Sequence, residues 1–576
     1  MSCDDDIRIR PGRIRSTKPG RAKSFVARVL AATQKTGGPH RGARGKAGSF
    51  GRGRAASLLA IRGLTSKSRG AVVKARVVRH GAKSASLATH LSYLRRDGVT
   101  RDGAPGKMFD AGGDEADARG FAERCQGDRH HFRFIASPDD AAELSDLRSF
   151  TRDLMGQMAR DLGTGVDWVA VDHWNTEHPH IHILVRGRAD DGRDLVISRD
   201  YISRGVRGRA EQLVTLELGP RSELEIRRGL ERQVEADRWT PLDQTLVRQA
   251  TGNDGVVDLR PSREPATDSE RPVLVGRIRK LEKLGLAAPI GPGRWVLAEE
   301  AESTLRALGE RGDIIKRIHR GLTERGIERS AGDFAWDSDA RGDSILGRLV
   351  SRGLDDELNG SAFAVVDGVD RRAHHIRFAD LDATGDAAPG AIVEVRRLAR
   401  EAGSSRLVLA VRSDRSIEEQ IHAAGATWLD RRLVEAAPMP LSEAGFGHEV
   451  RDAMDARAEH LAAEGLARRQ GQRFVFARDL LTTLRARELE EAASRLSALT
   501  GLPRQRAAEG ESVAGVYRQR VTLASGRFAM LDDGLGFSLV PWSPSLEREL
   551  GRHVSGIMSP GGGVEWSFGR KRGIGL

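Results

Sequence analysis

Four of the sixteen histidines of the chain fall within ten residues, at His173, His178, His180 and His182. His180 and His182 are two residues apart in an apolar stretch that is typical of a β-strand, so their imidazoles share one face of it. His173 ends a preceding predicted strand, and antiparallel pairing of the two strands would bring it beside the other two. Neutral imidazoles suit Mn, Zn, Ni or Co, and three of them leave coordination positions open. The spacing therefore predicts a metal site.

His178 precedes Pro179, which favours an extended conformation at the turn, so we expect His178 to support the site rather than to ligate the ion. A three-histidine site can serve hydrolysis, oxygen chemistry or phosphoryl transfer, whereas a carboxylate ligand would favour iron oxygenase chemistry. Glu177 is the only nearby acid at a ligand spacing, and it falls in the turn. The alternative to a metal site is a strand on which the histidines are incidental.

The chain has only three tyrosines, and Tyr93 lies near the end of a predicted helix, where Leu94, Arg95 and Arg96 follow it. A phenol has a reference pKa of about 10 and needs activation before it attacks a phosphate. A metal ion on the phosphate and the two arginine cations would supply that activation. Tyr93 is therefore a candidate nucleophile, and a buried aromatic with a packing role is the alternative.

The elements around these residues predict an α+β fold with a mainly antiparallel central sheet flanked by helices. Predicted strands cover 71–79, 131–135, 167–173, 180–186 and 195–197, and predicted helices cover 84–96, 114–126, 139–161 and 203–218. The order places Tyr93 and the histidines in one domain, residues 71–220.

The net charge of +12 is concentrated at the N-terminus. Residues 1–70 contain 17 basic and three acidic residues, a net charge of +14, and they are rich in glycine. Such a composition buries little apolar surface, so we expect a disordered arm over residues 1–70. Its predicted role is to neutralise the phosphates of a polyanion, and a merely solubilising arm is the alternative.

The second half of the chain predicts two similar units. Residues 221–270 are charged and predict a helical linker. A helix, a strand, a Gly-Pro turn and a returning strand then predict a winged-helix module from residue 271, and a similar pattern recurs 180 residues later. Both copies share the phrase Thr-Leu-Arg-Ala, at residues 304–307 and 483–486. Because a β-rich stretch follows each copy, we expect winged-helix and small β-barrel-like units at 271–440 and 441–576.

The first of these predicted helices is basic, with Arg277, Arg279, Lys280 and Lys283. The four side chains could lie along one helix and contact phosphates. A solvated charged face is the alternative.

Several classes of protein are excluded. No apolar run reaches the length of about 18 residues that a transmembrane helix needs, and the basic N-terminus lacks the apolar core of a signal peptide. We therefore expect no membrane insertion. Cys3 and Cys125 are the only cysteines, which excludes a disulfide framework and a cysteine-rich zinc module and fits a reducing cytosol. No phosphate-binding loop of an ATPase is present.

The motifs resemble those of conjugative relaxases, the mobilisation nucleases of the HUH endonuclease superfamily. The pattern His-x-Asp-x-x-His-Pro-His-x-His is matched over residues 173–182, with Asn175 in place of the usual Asp. A Tyr-Leu-x-Arg motif is matched at residues 93–96, and a strand followed by Ser-x-x-Asp is matched at residues 134–140. The resemblance covers residues 71–220, and the remainder resembles the long C-terminal extension of one relaxase subgroup.

The resemblance implies a site- and strand-specific nick at the origin of transfer of a plasmid or integrative element. Tyr93 would become linked to the 5′ phosphate and free a 3′ hydroxyl. His173, His180 and His182 would hold the divalent ion, for which Mg or Mn is expected, with Zn, Ni or Co as alternatives. Supporting roles would fall to His178, Asn175, Asp172 and Ser137, and contacts with DNA to Arg95, Arg96 and Trp174.

The implied partners are single-stranded DNA at the origin, accessory relaxosome proteins and a type IV coupling protein that could bind the basic run at residues 570–572. The implied location is the cytoplasm, with export into a recipient cell together with the DNA. One alternative is a replication initiator or transposase of the same superfamily. Another is a non-catalytic DNA-binding regulator whose histidines are structural.

Overall fold

The computed structural model describes residues 51–62, 64–80, 87–96, 99–174, 178–261, 270–336, 344–356, 358–399, 405–559 and 563–567. The chain divides into two compact units, Met1–Arg227 and Arg228–Leu576. Both units combine helices with sheets in which antiparallel pairing predominates. The predicted α+β class is therefore confirmed.

The first unit is built on a four-stranded, fully antiparallel sheet with the order β1-β2-β4-β3. Its strands are β1 (Ala71–Arg79), β2 (His130–Pro138), β3 (Val166–His173) and β4 (His180–Ala189). Its helices are α1 (Arg54–Arg62), α2 (Leu87–Leu94), α3 (Ala118–Arg124), α4 (Leu147–Leu162) and α5 (Val206–Leu218), and a π-helical turn, Tyr201–Gly205, precedes α5.

Helices cover the two faces of this sheet differently. Helices α4 and α5 pack on one face, where Phe132 and Ile183 join a large apolar core with Leu154 and Val214. Helices α2 and α3 pack on the other face, where a smaller core lies over β3 and β4. The side chains of β1 on this second face, Val72, Lys74 and Arg76, remain exposed. The second face is thus closed over β3 and β4 and open over β1.

Two elements of the first unit differ from the sequence prediction. Helix α4 begins at Leu147 rather than at residue 139, because Asp146 is its N-cap and accepts hydrogen bonds from the amides of Arg148 and Ser149. The helix ends as predicted, before Gly163 in the left-handed conformation. Residues 195–197 form no strand of the sheet; among the described residues, Ile197 makes only an isolated bridge with Arg52.

The prediction of a disordered arm over residues 1–70 is wrong for residues 51–62 and 64–70. Helix α1 packs on the first unit, with Ala60 fully buried, and the amide of Arg52 donates a hydrogen bond to the carbonyl of Val196. Arg69 is buried and its guanidinium donates to the carboxylates of Asp140 and Glu225. Residues 1–50 lie outside the described part of the chain.

The second unit contains two similar series of helices and strands; strand β5 of the first has no counterpart among the described residues of the second. Helix α6 (Glu223–Glu235) leads into it. The first series is α7 (Pro241–Thr251), β5 (Val256–Asp258), α8 (Arg271–Lys283), β6 (Ala287–Gly291), β7 (Arg294–Leu297), α9 (Ala301–Thr323), β8 (Phe334–Ala335), β9 (Ile345–Asp356), β10 (Ser361–Gly368), β11 (Ala373–Phe378), β12 (Ile392–Ala399) and β13 (Ser405–Ser413). The second series is α10 (Ile417–Ile421), α11 (Trp428–Leu433), α12 (Phe446–Ala463), β14 (Ala467–Gln470), β15 (Arg473–Phe476), α13 (Leu480–Thr500), β16 (Arg504–Gln505), β17 (Ser512–Leu523), β18 (Gly526–Asp532), β19 (Phe537–Pro541), β20 (His553–Met558) and β21 (Val564–Ser567).

The six-stranded sheets of the two series share one topology. Their orders are β13-β12-β9-β10-β11-β8 and β21-β20-β17-β18-β19-β16. In each six-stranded sheet the strand that comes first in the chain pairs in parallel with the fourth, as β8 does with β11 and β16 with β19. The other pairings are antiparallel. We name the two series the first and the second repeat.

A buried arginine joins the helices at the start of the first repeat. Arg277 of α8 is fully buried, and its guanidinium forms a two-pronged ion pair with Asp243 at 2.7 and 2.8 Å. It also donates to the carbonyls of Val234, Ala236 and Arg238. Asp243 belongs to the capping box that begins α7.

Arg457 of α12 forms the same arrangement in the second repeat. Its guanidinium pairs with Asp430 at 2.8 and 2.9 Å and donates to the carbonyls of Ile421, Ala423 and Gly425. Asp430 belongs to the capping box of α11. In both repeats the three carbonyls lie six, four and two residues before the capping threonine, which shows that the repetition extends to side-chain contacts.

These contacts correct two predicted boundaries and one predicted role. Helix α7 and strand β5, which fall in the predicted linker at 221–270, share an apolar core with α8, so the first repeat begins before residue 271. Helix α11 packs with α12, so the second repeat begins before residue 441. Arg277 cannot contact phosphates as predicted, because it is fully buried.

Among the described residues, no helix is both long enough and apolar enough to cross a membrane.

Candidate functional site: three histidines beside Tyr93

The hairpin of β3 and β4 brings three histidines together on one face of the sheet. His173 lies directly opposite His180 in the register, and His182 is two residues further along β4. The ring centroids are 4.5 Å apart for His173 and His182, 5.0 Å for His180 and His182, and 5.4 Å for His173 and His180. One nitrogen of each ring lies within 4.8 Å of the others, and all three side chains are buried.

Backbone carbonyls determine which ring nitrogens can bind a metal. His173 Nε2 lies 2.8 Å from the carbonyl oxygen of Leu94, so Nε2 carries the proton and Nδ1 keeps its lone pair. His180 Nδ1 lies 3.0 Å from the carbonyl oxygen of His178, which leaves the lone pair on Nε2. A hydrogen bond from the second ring nitrogen to a carbonyl is typical of metal-ligating histidines.

The surroundings keep His173 neutral. Burial is the main reason that its pKa falls from the ordinary value to about 2, and the positive charges of His182 and Arg96 would lower it further. Nδ1 of His173 is buried and has no hydrogen-bond partner among the described residues. A cation is the partner that a buried lone pair of this kind can accept.

Tyr93 lies next to this site because of the helix that carries it. It occupies the last turn of α2, and the carbonyl of the following residue, Leu94, is the one that receives the His173 hydrogen bond. Tyr93 is half-buried, whereas Tyr201 and Tyr517 are 0% and 1% exposed. Burial raises the pKa of both buried phenols. Tyr93 is therefore the tyrosine most accessible to a substrate.

Arg96 connects Tyr93 with the histidines. Its guanidinium lies over the Tyr93 ring, 4.2 Å from the ring centroid, and it is close enough to His173 to lower the pKa of that imidazole. Arg95, the other predicted DNA contact on this segment, is exposed.

Further cations line the open part of the same sheet face. Lys74 and Arg76 of β1 are exposed and lie opposite Ile135 and Arg133 of β2. Arg133 is buried and, in the described part of the chain, pairs with no carboxylate. Burial, followed by the charge of Arg76, lowers its pKa to about 10. A buried arginine without a counter-ion is a favourable position for an anionic ligand.

The structure places the predicted supporting residues as follows. His178 is exposed, and its backbone carbonyl holds His180. The hydroxyl of Ser137 donates to the carbonyl of Pro179, at 3.1 Å, and so joins β2 to the turn before His180. Asp172 points to the other face of β3, where it accepts hydrogen bonds from Arg148 and Trp174. Asn175 lies outside the described residues.

Trp174 is less accessible than a DNA-stacking role would favour. Its indole NH donates to Asp172 at 2.7 Å, and its ring packs against the main apolar core. The guanidinium of Arg101 lies 3.8 Å from the ring centroid and occupies one face of the indole. A base could stack there only after Arg101 moved.

Two groups of the site were not predicted from the sequence. The first is the backbone carbonyl of Leu94, and no pattern of side chains in the sequence indicates its role. Arg133 and the cations of β1 leave a pattern, since basic residues alternate with apolar ones in both strands. The register places Arg76 opposite Arg133, and this pairing of two strands is what brings the basic residues together on one face.

Comparisons with known proteins bear on the second unit. A family model described as "Protein of unknown function (DUF3363)" matches residues 274–406 and 399–575, slightly more than half of the chain. The chain belongs to the DUF3363 family. The matched residues all lie after the histidine site, so membership does not indicate its chemistry. No curated protein and no solved structure gives a significant match.

Proposed function

We propose that this DUF3363 protein nicks one DNA strand at an origin of transfer by metal-dependent transesterification, as the resemblance to relaxases implies. The observation that carries the proposal is the hydrogen bond from His173 to the carbonyl of Leu94. It fastens a buried three-histidine site to the helical turn that bears Tyr93. A nucleophile and a metal site held together in this way suit attack on a phosphate.

The proposed reaction exchanges one phosphoester bond for another. The Tyr93 oxygen forms a bond to the phosphorus, and the bond from phosphorus to the 3′ oxygen breaks. The phenol loses its proton and the released 3′ oxygen gains one, so that a 3′ hydroxyl is left. A divalent ion held by His173, His180 and His182 would polarise the phosphate and stabilise its developing charge. Arg96, whose guanidinium lies over the Tyr93 ring, would help to stabilise the negative charge that develops in the reaction. The reverse reaction by a 3′ hydroxyl needs no external energy source.

The open sheet face supports a nucleic-acid strand as the substrate. Lys74 and Arg76 are exposed along β1, and Arg133 supplies an uncompensated buried charge nearby. A row of cations beside the reacting centre would follow the phosphates of an extended single strand. Accessory relaxosome proteins, a type IV coupling protein and export from the cytoplasm belong to the same proposal.

Formation of a covalent adduct tests the proposal. The full chain is incubated with Mn or Mg and a labelled single-stranded oligonucleotide from the intergenic DNA beside its gene. We expect an adduct that resists SDS and is destroyed by protease. Tyr93→Phe removes the nucleophile and should abolish the adduct without weakening oligonucleotide binding, while chelation of the metal should abolish it as well.

The other tyrosines provide matched controls. Tyr517→Phe changes a buried phenol of the second unit and should leave the adduct unchanged. An adduct that persists in Tyr93→Phe would refute the role of Tyr93. Binding without any adduct, in folded and metal-loaded protein across the candidate oligonucleotides, would instead support a DNA-binding regulator.

A further inference from the structure

The two repeats carry the same helix and hairpin at positions 180 residues apart. Gly285 and Gly465 end α8 and α12 with φ of 72° and 74°. In each case the next residue, a leucine, donates its amide to the carbonyl of the residue four positions before the glycine. The buried Arg277 and Arg457 fix the same alignment from inside the repeat. Positions along the two helices can therefore be compared one by one.

The solvent-facing stripes of the two helices differ in charge. On α8 the exposed residues are Pro272, Arg279, Glu282 and Lys283, and Val275 between them packs partly against the apolar core. The matched positions of α12 carry Asp452, Glu459, Ala462 and Ala463, with Asp455 in place of Val275. Arg279 and Lys283 are both exposed and one helical turn apart. This stretch of α8 thus carries two positive charges and one negative charge, whereas the matched stretch of α12 carries three negative charges, of which Glu459 pairs with Arg469.

We propose that the first repeat binds duplex DNA with α8 in the major groove and that the second repeat does not. Helices α7 and α8 and the sheet β5-β7-β6 have the order of a winged-helix module, in which the helix before the hairpin enters the groove. An α-helix with its side chains is about as wide as the groove. Arg279 and Lys283 contact phosphates.

Duplex DNA suits this stripe better than a single strand does. Single-strand sites combine a basic groove with aromatic side chains on which bases stack. The exposed residues of α8 include no aromatic side chain, and they lie on the convex surface of a helix and not in a groove. The proposal is independent of the Tyr93 chemistry, because a duplex contact by the second unit can exist whether or not the first unit nicks a strand.

The second repeat itself supplies the test substitutions. Arg279→Glu with Lys283→Ala introduces the residues that α12 carries at the matched positions, so the scaffold is known to accommodate them. We expect the Kd of the full chain for a 20-base-pair duplex, a probe of about two helical turns, to rise by about tenfold. The slope of log K against log salt should decrease in magnitude by about two, because two phosphate contacts are lost.

A charge-matched control separates local contact from general attraction. Arg468→Glu with Arg473→Ala changes the net charge by the same amount, at exposed positions on the hairpin of the second repeat. This variant should retain the duplex affinity of the unsubstituted protein. If the Kd for the duplex rises by the same factor in both variants, duplex binding depends on overall charge and the proposal is wrong.

Amide hydrogen exchange on the unsubstituted protein tests the same contact without a substitution. Addition of the duplex should slow exchange in residues 271–283 and leave exchange in residues 446–463 unchanged. Single-stranded oligonucleotide of the same sequence should not produce this protection. The absence of protection in residues 271–283 would refute the proposal, and the adduct assay with Tyr93 would be unaffected by that result.

Discussion

A single carbonyl, that of Leu94, sets the chemistry available at the histidine site. By accepting the proton of His173 Nε2 it presents the Nδ1 lone pair towards the other two rings. The carbonyl of His178 does the same for His180 from the opposite side of the hairpin turn. The ring nitrogens of His173 and His180 that keep their lone pairs are thus determined by backbone atoms, which substitution of side chains does not remove.

His182 contributes its ring to the site, whereas His178 contributes its backbone carbonyl, so substitution of the two histidines should have different effects. His182→Ala deletes a ring of the triad and should weaken binding of Mn by more than about hundredfold, since even outer-shell changes cost tenfold to hundredfold. His178→Ala removes an exposed ring and keeps the carbonyl that holds His180, so Mn affinity should change little. Isothermal titration of each folded variant with Mn measures both. Equal loss in the two variants would contradict the proposed ligand set.

At the scale of helices and strands, local patterns predicted what depends on local physics. Strand β1 has its predicted bounds because it is rich in β-branched residues, and the hairpin of β3 and β4 follows from two apolar runs around a short turn. The start of α4 was misplaced by eight residues, because three acidic N-cap candidates precede Leu147 and the structure uses Asp146. Sequence order alone does not show which of the three caps the helix.

Long-range contacts account for the remaining differences. The docking of α1 depends on Arg52 and Arg69, whose partners lie more than 70 residues away in the chain. In the sequence, Arg277 cannot be told apart from the exposed basic residues of the same helix. Its contacts with Asp243 and three carbonyls form only when the chain folds. The cluster of three histidines was more predictable, since all three residues lie within one hairpin.

The packing of α9 against its sheet predicts a pH dependence of stability. His375 of β11 is fully buried, stacks on Phe363, and accepts a hydrogen bond from Arg317 of α9 at Nε2. Burial, followed by the charge of Arg317, lowers its pKa to about 4. The unfolded chain protonates near pH 6.5 and therefore binds more protons than the folded chain between these values. The contribution of the neutral His375 to the free energy of unfolding is fully present above about pH 6.5, and it is lost as the pH falls towards 4.

The expected size is about 2 kcal/mol at pH 5 relative to pH 8. His375→Gln keeps an acceptor for Arg317 and removes the titrating group. The free energy of unfolding of this variant, measured with urea at both pH values, should therefore fall by about 2 kcal/mol less than that of the unsubstituted protein. Parallel pH profiles for the two proteins would show that His375 does not titrate as proposed.

At the scale of the whole molecule, the basic residues fall into separate groups. Residues 1–50 hold 12 basic and three acidic residues, a net charge of +9, and the described part of the chain begins at residue 51. Many arginines of the folded units are committed to carboxylates, as Arg69 and Arg277 are. Arg133, Arg279 and Lys283 lack a carboxylate partner among the described residues. In the proposed function, overall affinity for DNA and the placement of its phosphates would therefore depend on different residues.

Two truncations separate these contributions. Removal of residues 1–50 should weaken binding to DNA and reduce the salt dependence of that binding, because the deleted charges act through counterion release. It should leave Mn affinity and the rate of adduct formation at saturating DNA unchanged, since no residue of the histidine site is touched. Removal of residues 1–70 also deletes α1 and Arg69, which is buried between Asp140 and Glu225.

Loss of that buried contact leaves Asp140 and Glu225 without their partner and uncovers the apolar residues beneath α1. The longer truncation should therefore be less stable than the shorter one by about 3 kcal/mol or more, as the midpoint of urea unfolding would show. Equal stability of the two truncated proteins would mean that residues 51–70 contribute little to the first unit. Lost adduct formation in the shorter truncation at saturating DNA would mean that the arm takes part in the chemistry and not only in affinity.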